Sequence, residues 1–186
     1  MNNAIIIHGT CDRNEYFSDK YPSLSNSHWL PWLQKQLLMN NIFTQTPEMP
    51  EAYQPDYKKW QKEFERLEIN EATILVGHSC GGGFLLRWLS ENKVKIRKLV
   101  LVAPWIDPKR IKTKDFFNFQ IDSSLLDRIK EIHLFISSDD DADIIESVKI
   151  ITKVLPQIII HNFSNQGYFT FKDMGTDKFP ELLKLI

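Results

Sequence analysis

Basic excess, cysteine and long apolar runs are all scarce in this chain. Lys and Arg total 23 against 24 Asp and Glu, for a net charge of -1. No general positive field therefore draws it to nucleic acid or to an acidic membrane. Two cysteines, Cys11 and Cys80, are too few for a disulfide framework or a structural zinc site, and they suit a reducing compartment. The longest apolar run, Leu99–Ile106, is far shorter than the roughly 20 residues of a membrane helix. Met1–His8 lacks both the basic start of a signal peptide and its apolar core of about 7–15 residues. The expectation is a cytoplasmic protein that contacts neither membrane nor nucleic acid. Glycine is thin as well, with seven in 186 residues, yet four of these fall within Gly77–Gly83. Histidine numbers five, at positions 8, 28, 78, 133 and 161, and none follows His161.

What is present suffices for a core. At 42% hydrophobic and 25% charged, residues 1–186 fit a single globular domain. Ala4–Ile7 is a short, continuously apolar run that ends near Gly9, the pattern of a strand buried on both faces. Ser25–Ser27 offer caps for a helix in which Trp29, Leu33 and Leu37 recur every four residues, with Pro31 tolerated in its first turn. Further strands are expected at Ile42–Thr44, Thr73–Val76, Leu99–Val102, Ile132–Ile136 and Ile158–Phe163. Helical patterns lie between them. Asp56 caps one with Trp60, Phe64 and Leu67 on one face. Another follows Gly83, a third spans Ile144–Leu155, and Lys178–Ile186 closes the chain. Alternating strands and helices imply a three-layer α/β sandwich with a mainly parallel sheet. In such a sheet the ligand site lies beyond the carboxyl ends of the strands.

One of those strand ends carries chemistry. Gly77-His78-Ser79-Cys80-Gly81 matches G-x-S-x-G between a predicted strand and a predicted helix, where a nucleophile elbow belongs. Such a turn lifts a serine Oγ out of the sheet, and the helix N-terminus favours charge developing beside it. The plainer alternative is a glycine-rich turn with an incidental serine. No Gly-Lys-Ser/Thr follows, so the loop is not a P-loop, and Gly77, Ser79 and Gly82 do not fill G-x-G-x-x-G. Cys80 is the better intrinsic nucleophile, but it lies one residue past the apex. There its N–H serves an oxyanion and its side chain reads as a small buried group. Thr10, after His8-Gly9, is the expected second oxyanion donor, with Cys11 next.

The chain resembles the retinoblastoma-binding-protein-9-like family of small serine hydrolases, within the α/β-hydrolase superfamily. The features that carry the resemblance are His8-Gly9, Trp32, Pro47-Glu48-Met49-Pro50, Trp60 and Leu75-Val76-Gly77-His78-Ser79 with Gly81-Gly82. Leu99–Pro104, Ser137-Ser138-Asp139-Asp140 and Gly167-x-Phe169 continue it, and together they span nearly the whole chain in order. The resemblance implies a minimal α/β-hydrolase fold with little or no lid, and an esterase-like activity through a Ser, Asp, His triad. By position, Ser79 falls on the nucleophile and Asp140 on the acid. Asp139, Asp141 and Asp143 are close enough to be confused with Asp140, and a solvated helix-capping turn is the plain reading of that cluster.

The pattern breaks at the base. The last strand–helix loop reads Asn165-Gln166-Gly167-Tyr168-Phe169, with Tyr168 where the resemblance expects histidine. A phenol, with a pKa near 10, is a poor general base. His161, seven residues earlier in the last strand, is the alternative base only if the loop folds back. Extended strand geometry puts it about 20 Å away.

Two functions fit: a serine hydrolase of small esters or amides with impaired turnover, or an inactive pseudo-hydrolase that binds a ligand or a protein partner. Neither requires a cofactor. No metal cluster is evident, because the Asp139–Asp143 run lacks the Gly and Glu of a calcium loop. Trp105, Phe116, Phe117 and Phe119 either line an apolar entrance or pack a helical excursion.

Overall fold

The computed structural model describes residues 2–113 and 115–186. Six strands form one sheet: β1 (Asn3–Ile7), β2 (Phe43–Gln45), β3 (Ile74–His78), β4 (Ile96–Val102), β5 (Ile129–Ser137) and β6 (Ile159–Phe163). Their order is β2-β1-β3-β4-β5-β6, and every neighbouring pair is parallel. The sheet is therefore wholly parallel, and with its helices it makes a three-layer α/β fold. The central strands β1 and β3 are buried along their full length, which is why they read as continuous apolar runs and not as alternating ones.

Among the described residues, eight helices accompany the strands: α1 (Arg13–Tyr16), α2 (Leu30–Met39), α3 (Tyr57–Phe64), α4 (Cys80–Glu91), α5 (Leu125–Arg128), α6 (Ala142–Val154), α7 (Phe171–Met174) and α8 (Pro180–Leu183). Aromatic contacts fix their packing. Trp60 and Phe64 of α3 meet Phe84 of α4 edge-to-face. Just before α2, Trp29 meets Phe179, which in turn packs on Phe135 of β5. The Asp56 carboxylate caps α3 at the Lys59 N–H, 2.9 Å away.

The expected elements are all present, with altered ends. Ser25 joins a short 3-10 turn at Leu24–Asn26, so α2 begins only at Leu30, with Pro31 in its first turn. β2 is shifted one residue, and β4 and β5 start earlier than their apolar centres. The closing helix is a single turn begun by Pro180. Between β4 and α5, Phe116 and Phe117 are buried. Phe116 packs on Trp60 and Phe117 on Trp105, so this pair belongs to the core and not to an entrance.

The glycines of the β3–α4 turn permit close backbone approach. A Cβ on Gly81 would strike the carbonyl oxygens of Ile7 and His8, and one on Gly77 would lie 2.6 Å from the Gly82 backbone. Overpacking of this kind costs about 1–3 kcal/mol. Gly81→Ala is accordingly expected to lower the urea midpoint of unfolding with little change in slope.

Candidate functional site

Ser79 sits between β3 and α4 with φ 54 and ψ -122. A non-glycine residue held there costs about 1–3 kcal/mol and persists only when its surroundings fix it. They do so through three backbone hydrogen bonds. Ser79 N–H donates to Val102 O at 2.9 Å, and its carbonyl accepts from Trp105 N–H at 3.1 Å and Gly83 N–H at 3.2 Å. The strained turn aims Oγ at the Tyr168 hydroxyl, with which it forms a hydrogen bond. Ser79 is only 1% exposed.

Tyr168 lies in the loop between β6 and α7, whose backbone is pinned from four sides. Gly167 N–H donates to Asp139 Oδ1 at 3.3 Å, and Tyr168 N–H to Asp173 Oδ2 at 3.1 Å. His78 Nε2–H donates to the Tyr168 carbonyl at 2.8 Å, and Trp29 Nε1–H to the Phe169 carbonyl at 3.1 Å. Asp173 also completes a capping box with Thr170. Gly167 and Phe169 both have positive φ, 46 and 57, so the chain turns sharply on either side of Tyr168. Burial raises the phenol pKa, and the Cys80 thiol and the Asp140 and Asp141 carboxylates add to the rise. Tyr168 is therefore neutral across the physiological range.

Asp140 follows β5 on the same rim of the sheet. Its Oδ1 accepts the Asp141 N–H at 2.8 Å, whereas its Oδ2 is buried without a partner among the described residues. Burial pushes this carboxyl up to about 7, against the Asp141 N–H, which lowers it; Asp141, Asp173 and Asp139 add like charge. Tyr168 thus touches Ser79 and lies near enough to Asp140 for that carboxylate to raise its pKa. Asp139, which the sequence left in competition with Asp140, instead braces the Gly167 loop.

The histidines are committed elsewhere. His161 lies on β6 with its ring stacked on Phe135 at 4.5 Å and its Nε2 3.0 Å from His133 Nδ1. That contact ties it to the sheet face and away from Ser79. His8 donates from Nδ1 to Gly9 O at 2.7 Å and accepts the Met49 N–H on Nε2 at 2.8 Å, which fixes a neutral tautomer that burial also favours. His78 is buried, and burial depresses its pKa to about 3, with His28 adding to the fall. Neither the His8 staple to the Pro47–Pro50 loop nor the His78 bond to the Tyr168 carbonyl was legible beforehand, because both partners are distant backbone groups.

Gly9 packs directly on the serine, where a Cβ would lie 3.4 Å from Ser79 Oγ. Thr10, the next residue, lines a cleft of about 410 Å³ with Trp105, Lys112, Asp141, Asp143 and Tyr168. The Thr10 N–H has no backbone partner among the described residues. The Cys80 N–H, as the first of α4, is left free by the helix itself. The Cys80 side chain is fully buried, and its thiol is pushed well up by burial and by Asp107. Among the described residues no group of three or more His, Cys, Asp or Glu side chains could hold a metal ion, and no helix is long and apolar enough to cross a membrane.

A six-stranded parallel sheet with a strained serine on the turn between its third strand and the following helix defines the α/β-hydrolase class. Within it, the chain belongs to the serine hydrolase family, whose profile matches residues 20–184. It is 32% identical over 82 residues to YdeN of Bacillus subtilis, a stretch that spans 43% of this chain and 43% of that relative. The crystal structure of the ydeN gene product superposes with a TM-score of 0.82 at 23% identity, over 100% of this chain and 96% of that one. Est1E of Butyrivibrio proteoclasticus, solved with ferulic acid bound, gives a TM-score of 0.66 at 13% identity over 91% of this chain and 82% of its own. These two superpositions speak for the fold alone.

Proposed function

We propose that residues 1–186 form one hydrolase domain that cleaves small esters or amides through Ser79, with turnover impaired because Tyr168 stands where the general base belongs. Ser79 is the nucleophile, the Thr10 and Cys80 N–H groups hold the oxyanion, and Asp140 is the acid left without an imidazole to orient. One observation carries this reading: the Ser79 hydroxyl is bonded to a neutral phenol while the Asp140 Oδ2 has no donor among the described residues. A tyrosine has one polar atom and cannot serve both. Among the serine hydrolases, we infer kinship with the retinoblastoma-binding-protein-9-like group, on the motifs from His8-Gly9 to Gly167-x-Phe169. The two unpaired thiols support a cytoplasmic setting.

A second reading is favoured by the burial of Ser79 and the bond that ties its hydroxyl to Tyr168: the fold is kept as a module for binding a small ligand or a protein, with no turnover. A fluorophosphonate probe separates the two. Slow labelling of the wild type that disappears in Ser79→Ala supports a weak hydrolase. Absence of labelling in the wild type over hours, with labelling in Tyr168→His, supports the binding module.

A further inference from the structure

Asp140 Oδ2 is a buried polar atom that the described residues leave unsatisfied, and Asp140 as a whole is 7% exposed. Leaving such an atom unpaired costs about 1–3 kcal/mol. Its neighbour Tyr168 offers one hydroxyl, already on Ser79. Tyr168 meets Ser79 through its hydroxyl and lies close enough to Asp140 to feel its charge, so a group in the place of its ring would face one O–H donor and one carboxylate acceptor. A group complementary to both needs a lone pair for the serine and an N–H for the carboxylate, on opposite edges of a small ring. To act as a base it must also be neutral near pH 7. Imidazole meets all three conditions. A primary amine is protonated at that pH, and a second phenol is too weak a base.

We propose that the site takes an imidazole-bearing ligand, whose ring seats between Ser79 and Asp140 and supplies the base that the chain lacks. The proposal rests on the reading of Ser79 as nucleophile. Room for the ring comes from Tyr168, whose backbone is pinned but whose side chain borders the cleft of about 410 Å³. Seating the ring requires the phenol to leave Ser79 and turn into that cleft while the loop stays in place. Asp141 and Asp143 on the cleft wall favour the imidazolium once it forms, although Lys112 offsets Asp143 at 2.9 Å.

The chemistry balances without any further reagent. The ring nitrogen takes the Ser79 Oγ proton as Oγ bonds to the acyl carbon and the carbonyl electron pair moves to oxygen. The tetrahedral species collapses and expels the leaving group, which departs with that proton or releases it to solvent. Water then gives a proton to the ring and its oxygen bonds to the acyl carbon. The imidazolium returns a proton to Ser79 Oγ as the C–Oγ bond breaks, freeing the carboxylic acid.

Free imidazole is the probe, with p-nitrophenyl acetate as the ester and Ser79→Ala as the measure of solution catalysis. The expected result is a saturable, Ser79-dependent acceleration of the wild type of at least about tenfold. It should fall away in Asp140→Ala and be weaker with 1-methylimidazole, which has no N–H for the carboxylate. The 1-methylimidazole arm needs no variant, so it stands even where Asp140→Ala folds poorly. A linear imidazole dependence equal to that of Ser79→Ala would overturn the proposal. So would an acceleration as large with 1-methylimidazole, or one confined to Tyr168→Ala, which would mean that the ring bars the site. Tyr168→His separates the two levels. If it hydrolyses the ester unaided while the wild type ignores imidazole, only this proposal fails. If it is folded and inert as well, the reading of Ser79 as nucleophile fails with it.

Discussion

Tyr168→His is expected to raise the turnover of p-nitrophenyl acetate by about 10²–10⁴-fold, the usual contribution of a positioned general base. The argument starts from the loop and not from the side chain. Bonds from His78, Trp29, Asp173 and Asp139 hold the backbone on either side of position 168, and none of them involves the phenol. A substituted ring therefore leaves from the same Cα in the same direction, toward Ser79. Imidazole is shorter than phenol, so its Nε2 faces Oγ at hydrogen-bonding range where the phenol crowds it. Its Nδ1–H reaches sideways to an acceptor, and Asp140 Oδ2 is a bare one. That bond fixes the tautomer that leaves Nε2 free to take the serine proton. Initial rates and fluorophosphonate labelling should rise together. Tyr168→Phe is the control, since it removes the hydroxyl from Ser79 without adding a base. A gain in Tyr168→Phe as large as in Tyr168→His would mean that the phenol only blocks the serine. A folded Tyr168→His with no gain would count against Ser79 as nucleophile, and with it the proposed triad.

The fold was legible because its inner strands β1, β3 and β4 are buried on both faces. Ala4–Ile7 and Leu99–Val102 announce themselves as apolar runs, and the glycines around Ser79 mark the one turn where backbones must touch. Ser79 stood out from the elbow motif, and the missing histidine at position 168 from what the family resemblance implies. Other features were not legible, and they share a cause: they are made by backbone groups distant in sequence. The His78 bond to the Tyr168 carbonyl spans 90 residues, and the Trp29 bond to Phe169 spans 140. Nothing in the local pattern of His78 or Trp29 signals either. The resemblance put the acid on Asp140, but the bond from Asp139 to the Gly167 loop was invisible, since neighbouring aspartates differ only in which way the turn after β5 points them. The ends of β4 and β5 were missed because Ile96–Lys98 and Ile129–Glu131 mix charged and apolar residues, and their pairing on the sheet overrides that pattern.

Asp140→Asn is expected to stabilise the fold by about 2–4 kcal/mol at pH 8, because the wild type must there keep a buried carboxylate ionised without a donor on Oδ2. The sign follows from the two states. The folded carboxyl is raised from 3.8 to about 7, so the fold favours its neutral form. Its contribution is complete below pH 3.8 and is lost as pH rises toward 7. His78 runs the other way. Its folded pKa is depressed from 6.5 to about 3, so its contribution is complete above 6.5 and is lost as pH falls toward 3. Each amounts to about 1.4 kcal/mol per pH unit where it acts. Between pH 3.8 and 6.5 the slopes from these two groups oppose each other. The lowered pKa values of His8, His28 and His161 tilt the balance toward acid loss. Removing the Asp140 carboxyl removes one slope. Asp140→Asn should therefore exceed the wild type at pH 8, lose stability steadily below pH 6.5 and meet it near pH 4. Urea midpoints taken across that range check the crossing. Equal midpoints for the two proteins at pH 8 would mean that Asp140 is not a strained buried acid, and its bare oxygen would then say nothing about a missing histidine.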